Sequence, residues 1–398
     1  MTTYSDLYDY CQTEAQRRAI AAVVEHDNSP AKAAKATGRN ERALRRIIAR
    51  VRAYAARKGY DPAHDATHPV PQGQMLRGQS SLYRRGEPEP VLQWVKTAAD
   101  REAQLEILRQ LAESVMESVP PASPVPSPGA SHKALMSVYP VFDVHLGMYS
   151  WAAETGADFD LKIGERDLMA AVDYLVDQSP ASHRGLLING GDYFHAENME
   201  GITSKSGNIL DMDTRFYMMI DVGMHLMQRM IARMLEKHEA VEVVNVPGNH
   251  DETMAHVMSV FCQKIYANDP RVHVYASPTE RRYIRHGQTM IGVTHGHKTK
   301  DRDLPLIAAT EQPRMWADTR HRYVYRGHDH HDERVEFNGA IVEHFRKLSA
   351  ADAHEIGAGY LTGRDLKCIV HHAEAGEHVR FTCGIDVVRR LQGVAAEG

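Results

Sequence analysis

The sequence predicts a layered α/β domain from about residue 131 to the end, preceded by a small all-α module at residues 1–60. Three observations carry this. From residue 134 onward, short apolar runs of strand length alternate with longer runs of helical period. Residues 13–58 hold three helical patterns separated by turn signals. Between the two lies Pro120-Pro121-Ala-Ser-Pro124-Val-Pro126-Ser-Pro128-Gly129, an extended linker and the clearest boundary in the chain. Residues 61–130 therefore read as a connecting segment. It is rich in Pro, Gly and His, with one charged amphipathic helix at about 99–118 that sets Leu105, Leu108, Leu111 and Val115 on one side.

Composition bounds the function. The chain has 398 residues, 25% charged and 43% in the AVILMFWYC set, which excludes a wholly disordered protein. No run approaches ~18 consecutive apolar residues, so no transmembrane helix is expected. The N-terminus has no basic region followed by an apolar run, so no signal peptide is expected and the predicted location is cytoplasmic. The four cysteines, Cys11, Cys262, Cys368 and Cys383, form no paired motif and read as free thiols. The net charge of −5 hides an asymmetry: residues 13–60 hold twelve Lys/Arg against four Asp/Glu. A basic end on an acidic chain points to a nucleic-acid-facing module.

In the N-terminal module, Thr13 caps a first helix that runs to Glu25. Asp27-Asn28-Ser29-Pro30 supplies a turn, a Ser cap and a Pro at the first helical position of a second helix over 30–37. Gly38-Arg39-Asn40 is the next turn. The third helix spans 41–57, with Leu44, Ile47, Ile48, Val51 and Tyr54 at helical spacing. A short second helix, a Gly turn and a basic third helix resemble a helix-turn-helix. Arg42, Arg45, Arg46 and Arg50 are then the candidate nucleic-acid contacts. The alternative is a protein-binding bundle with a basic face.

In the α/β domain, strands are predicted at 134–142, 185–189, 241–246, 272–275, 281–285, 289–294 and 322–326, with further strands within 334–348 and 366–387. Helices are predicted at 166–178, 212–236, 252–267 and 303–311. The Met-rich helix, with Met218, Met219, Met224, Met227, Met230 and Met234, reads as core packing.

Five of these strands end in polar motifs: Asp143-Val-His145, Gly191-Asp192, Gly248-Asn249-His250-Asp251, His295-Gly-His297 and Gly327-His328-Asp-His330. They deliver Asp, His and Asn to one rim of a sheet, where α/β folds place their sites. Residues two apart, as in Asp143-x-His145 and His328-x-His330, project to the same side of an extended segment. An oxygen-and-imidazole set suits divalent Mn, Fe, Zn or Ni. Seven candidate ligands (Asp143, His145, Asp192, Asn249, His295, His328, His330) exceed what one ion needs and serve two if a carboxylate bridges.

In this order the motifs resemble those of the calcineurin-like metallophosphoesterases, over about residues 134–350. The resemblance implies a two-sheet α/β sandwich flanked by helices, with a dinuclear centre, Mn being the first choice. One ion would be held by Asp143, His145, Asp192 and His330, and the second by Asp192, Asn249, His295 and His328, with Asp192 as the bridge. It implies that His250 sits over the phosphate and protonates the leaving oxygen; Asp251 would orient His250 or cap the following helix. His297 is left outside the ligand set. The implied reaction is in-line attack of water on phosphorus without a covalent enzyme intermediate.

The segment Asp192-Tyr-Phe-His195 resembles the DNA-repair exonuclease branch, which gives His195 a contact to the scissile phosphate. Lys298, Lys300, Arg302, Arg326 and Arg346 are further candidates for backbone phosphates. The arrangement with a segment between the two domains also looks like phage-encoded phosphoesterases. The leading expectation is a metal-dependent phosphodiesterase acting on DNA, with a protein partner or homodimer left open and no membrane contact. The alternatives are a small-molecule phosphatase or nucleotide phosphodiesterase with a regulatory N-terminal module, and a catalytically silent binding scaffold.

Overall fold

A computed structural model describes residues 4–61, 74–84, 90–99, 121–198, 201 and 210–393. The chain divides into two compact units, residues 1–111 and 112–398.

The first unit begins with a 3-10 turn at Tyr4–Tyr10 and three helices, α1 (Glu14–Glu25), α2 (Pro30–Thr37) and α3 (Glu41–Arg57). The predicted caps form. Thr13 and Gln16 close a reciprocal capping box, Ser29 accepts from the Lys32 backbone N–H, and Asn40 accepts from that of Ala43. Gly38 ends α2 at φ 67°, a left-handed conformation that glycine adopts without a Cβ clash. Ile20, Val23, Ala33, Leu44, Ile48 and Val51 form the shared core. Ile47 is only half-buried.

An antiparallel hairpin follows, β1 (Gln74–Tyr83) with β2 (Pro90–Ala99). No pattern in the sequence announces it, for a physical reason. The register shifts at Leu76/Gly78 and again at Leu82/Tyr83, and the adjacent residues Trp94 and Val95 are both exposed. A bulged ladder with no buried side chain among its described residues leaves no two-residue period to read. The helix expected over 99–118 lies outside the described residues.

The second unit is a two-sheet sandwich. The first sheet comprises β3 (His132–Val141), β4 (Ser182–Asn189), β5 (Ala240–Asn245), β6 (Val272–Tyr275), β12 (Asp365–His372) and β13 (Gly376–Gly384). The second comprises β7 (Arg281–His286), β8 (Thr289–Thr294), β9 (His321–Arg326), β10 (Glu333–Phe337) and β11 (Ala340–His344). The six strands are ordered β13-β12-β3-β4-β5-β6 and the five β10-β11-β9-β8-β7. Strands β3 to β6 run parallel, as do β8, β9 and β11.

Alternation along each strand builds the layers. Met136 and Val138 of β3 enter one core with Ile188, Val244, Ile291, Val293 and Tyr325, which joins the two sheets. The next residue, Tyr139, faces the other way, its hydroxyl 2.7 Å from Ser179 and 2.8 Å from His238 Nε2. Helices Leu161–Gln178, Phe216–Leu235 and Met254–Ile265 cover that outer face. In the Met-rich helix Met219, Met224, Met227, Met230 and Met234 are buried as expected, whereas Met218 is exposed. No helix among the described residues is long and apolar enough to cross a membrane, and all four cysteines are free thiols.

The Pro-rich segment belongs with this second unit. The Ala122 backbone N–H donates to the Ile265 carbonyl, and the Arg271 guanidinium donates to the Val125 carbonyl at 2.7 Å. The compact unit that spans residues 112–398 thus includes this segment.

Candidate metal centre

The five motifs follow the C-terminal ends of β3, β4, β5, β8 and β9. Backbone bonds continue the ladders past the strands: Asp143 N–H to Gly191 O, His145 N–H to Asp192 O, and Gly327 N–H to His295 O. The loops are thereby fixed to one another. Two glycines permit the approach. A Cβ on Gly248 would overlap the Asp192 carboxylate, and one on Gly327 would overlap that of Asp143.

The expected extended geometry of the paired motifs is not what forms. Asp143, His145, Asp192, His328 and His330 all have positive φ, between 50° and 75°. The only other described non-glycine residues with positive φ are Asp27 and Asn28. Each such residue costs on the order of 1 kcal/mol or more and persists only where the surroundings enforce it. Tight left-handed turns, not strand alternation, aim the side chains.

The ligand atoms gather in two triads. Asp143, His145 and His330 form one; Asp192, His295 and His328 form the other. His330 Nε2 stands 3.3 Å from Asp143 Oδ1, and His295 Nε2 stands 3.2 Å from Asp192 Oδ2 and 3.1 Å from Asn249 Oδ1. Asp143 Oδ1 is also 3.9 Å from His295 Nε2, so this one atom reaches both groups. All seven predicted residues are thus brought together.

The set fits divalent cations. Asp143 Oδ1 is buried without a hydrogen-bond partner. The two carboxylates lie almost wholly out of water, and no Lys or Arg is paired with either among the described residues. Burying such charge uncompensated is costly. The imidazoles are oriented to face it: His295 Nδ1 lies 3.0 Å from the Gly190 carbonyl and His330 Nδ1 lies 2.5 Å from Glu355 Oε1, which leaves each Nε2 to the centre. Burial opposes charge on these rings, yet the Asp192 and Asp143 carboxylates hold His295 up at about 9, and Asp143 with Glu355 does the same for His330.

Glu355 has no counterpart in the sequence reading. It sits at the third position of the short helix Ala353–Ala358, inside a capping box with Asp352, and also pairs with the buried Lys347. Its spacing marks it as a cap residue and nothing more. Only the tertiary fold brings it to His330.

His250 approaches from the other side. Its Nδ1 lies 2.8 Å from the His195 carbonyl, its backbone N–H donates to Asp192 Oδ1, and its ring meets that of His145 edge-on at 4.9 Å. Nε2 is therefore left for the site.

Two expectations are corrected here. Asp251 does not pair with His250, and the helix Met254–Ile265 begins after Thr253 without a side-chain cap. Instead the Asp251 carboxylate accepts from the backbone N–H groups of Asp192, Tyr193, Phe194 and Gly248, stapling two site loops together. Burial and the Asp192 charge push it up to about 7, against four donors that favour the carboxylate. His195 is buried, with Nδ1 3.2 Å from His145 Nδ1, so it backs a ligand rather than facing a substrate.

His297 flanks the centre half-buried, its ring 5.2 Å from that of His295. Burial and the His295 charge push it down to about 4. Of the basic candidates nearby, Lys298 pairs with Glu252 and Glu280, Arg326 with Asp301 and Asp329, and Arg346 with Asp365. Burial of Arg326 and carboxylate pairing of all three disfavour them as phosphate contacts. In the first unit Arg42, Arg45, Arg46 and Arg50 are all exposed on α3, with Arg45 paired to Glu41 one turn away.

No protein-family model matches the chain and no curated protein matches it. Solved structures do. Vps29 from Entamoeba histolytica is 14% identical, covering 63% of this chain and 99% of its own, with a TM-score of 0.28. A predicted phosphoesterase from Streptococcus pneumoniae is 12% identical, covering 64% and 99%, at 0.27. An archaeal phosphodiesterase is 12% identical, covering 62% and 100%, at 0.32. At such values the functional reading rests on the residues of the site.

Proposed function

We propose that the chain is a phosphoester hydrolase of the calcineurin-like type that works with two divalent ions, and that its substrate is DNA. The observation that carries the hydrolase reading is the pair of ligand triads meeting at the buried Asp143 Oδ1. Asp143, His145, Asp192 and His330 would hold one ion, and Asp192, Asn249, His295 and His328 the other, with Mn the first candidate and Zn, Fe or Ni compatible with the donors. When bound, two such ions supply water activation and neutralise phosphate oxygens. The protein's part is to hold the donors rigid and to move one proton. His250, fixed through Nδ1 to the His195 carbonyl, presents Nε2 to the leaving oxygen.

The DNA reading, exonuclease-like in form, rests on the exposed arginines of α3, which follows a short helix and a left-handed Gly38 turn. One observation favours the small-substrate alternative: Lys298, Arg326 and Arg346, three of the cations proposed to bind backbone phosphates, are paired with carboxylates. Full-length protein with Mn, assayed on bis-p-nitrophenyl phosphate, p-nitrophenyl phosphate and end-labelled single- and double-stranded DNA, separates the readings. Turnover of the diester and of DNA is expected. Turnover of the monoester alone would favour the small-molecule reading, and no turnover of any would favour a silent scaffold.

A further inference from the structure

The run His328-Asp329-His330-His331 divides between two places. His328 and His330, both left-handed at φ 75° and 57°, enter the two triads described above. Asp329 and His331 instead join His344, from the end of β11, in a separate group whose ligand atoms lie within 4.8 Å of one another.

The decisive atom is His344 Nδ1. His344 is only 3% exposed. Its Nε2 stands 2.6 Å from Asp301 Oδ2, so Nε2–H donates to that carboxylate. In the neutral ring Nδ1 is then a lone pair. It is buried, has no hydrogen-bond partner, and points at Asp329 Oδ2 3.5 Å away. Asp329 itself is exposed and its Oδ2 also accepts from Arg326; the buried Nδ1 is the atom left unsatisfied, and a cation between it and the carboxylate would satisfy it. The His331 ring stands 5.0 Å from that of His344 and completes the triangle. The surroundings suit ligation as well. Asp301 orients His344 from behind, Arg326 donates to both Asp301 and Asp329, and Glu333 Oε2 is 3.2 Å from His331 Nε2. Carboxylate-oriented imidazoles and hydrogen-bonded carboxylates are what surround metal ligands.

We propose that Asp329, His331 and His344 form a further metal site, distinct from the dinuclear centre, for a borderline divalent ion such as Zn²⁺. Two imidazoles and one carboxylate match the three-ligand sets that zinc accepts, with remaining positions open to water. An ion there would clamp the loop between β9 and β10, which carries His328 and His330, to the end of β11.

The test is metal stoichiometry on the full chain, dialysed against Zn²⁺ and measured by mass spectrometry alongside protein concentration. His331→Ala lies at a half-exposed position and should fold. It is expected to lose one equivalent of zinc relative to wild type while Asp192→Asn, made in parallel, loses zinc from the other centre. The double variant should lose both. Asp329→Asn serves as a second probe, and circular dichroism checks the fold of each. Equal zinc content in wild type, His331→Ala and Asp329→Asn would overturn the site and leave a protonated His344 between Asp301 and Asp329 as the resolution. A failed dinuclear reading has a different signature: zinc unchanged in Asp192→Asn but reduced in His331→Ala.

Discussion

Asp192 is held at φ 52° with one carboxylate oxygen on the His250 backbone N–H and the other 3.2 Å from His295 Nε2. Asparagine tolerates the same left-handed backbone, so Asp192→Asn changes charge with little change of shape. Hydrolysis should be abolished and metal content reduced, because a neutral amide is a poor bridge between cations. Full activity with two bound ions in that variant would remove the bridge assignment. His250→Ala should behave differently. Its ring is held by a backbone carbonyl and has no place in either triad, so both ions should remain while turnover drops roughly 10²–10⁴-fold, the span for losing one acid–base group. Loss of an ion by elemental analysis would make His250 a ligand instead. Glu355→Gln removes the negative partner of His330 Nδ1 and of Lys347. Apparent metal affinity should fall about 10–100-fold, as for other carboxylates behind ligating histidines. Unchanged affinity in a metal titration would reduce Glu355 to a helix cap.

Among the elements, the third helix carries its chemistry on one side. Leu44, Ile48, Val51 and Ala55 are buried, and Arg42, Arg45, Arg46 and Arg50 are exposed. An exposed basic stripe binds duplex DNA by releasing counterions, which makes affinity fall steeply with salt. Changing Arg42, Arg45 and Arg46 together to Ala should weaken DNA binding and flatten the salt dependence, by about one unit of log–log slope for each DNA phosphate that is no longer neutralised. Equal binding by variant and wild type at two salt concentrations would favour the protein-binding bundle. A second element-level prediction concerns the seam between β4 and the end of the Met-rich helix. His238 is fully buried there, between the Tyr139 hydroxyl and Ser182 Oγ, each 2.8 Å away. Burial pushes it down to about 4. The unfolded chain takes up this proton near pH 6.5 while the folded chain resists it, so the stability is present above pH 6.5 and is lost as pH falls towards 4. Over that window the loss amounts to about 3 kcal/mol. His238→Gln should flatten the fall of Tm between pH 6.5 and 4; an identical pH profile in the variant would show that His238 does not carry it.

At the scale of the whole molecule, the site joins both sheets. Asp143, Asp192 and Asn249 come from the ends of β3, β4 and β5, whereas His295, His328 and His330 follow β8 and β9 of the other sheet. Ions bound there would tie the two layers together and stabilise only the folded state, by ~3 kcal/mol for each site at a hundredfold excess over Kd. A chelator should therefore lower Tm of the wild type, and lower it much less in Asp192→Asn. A chelator without effect on the wild type would mean that the centre binds no ion of consequence to the fold.

The three N-terminal helices, most strands of the sandwich and the identity of the seven clustered residues are legible in the sequence. Helices 30–37 and 41–57 lie where Ser29-Pro30, Gly38 and Asn40 put them, because caps and turn residues act on their own backbone. Strands such as 272–275 and 289–294 are legible because their burial on a sheet imposes a local pattern. What only the tertiary structure decided is how those residues meet. The left-handed backbone at Asp143, His145, Asp192, His328 and His330 is enforced by neighbouring loops and leaves no trace in two-residue spacing. Asp251 holds the loops of two strands instead of orienting its neighbour His250. Glu355 reaches His330 across 25 residues of chain. The hairpin of strands 74–83 and 90–99 stays hidden because its register shifts twice and none of its described side chains is buried. Local signals specify local geometry; partners that are distant in sequence meet only where packing brings them into reach.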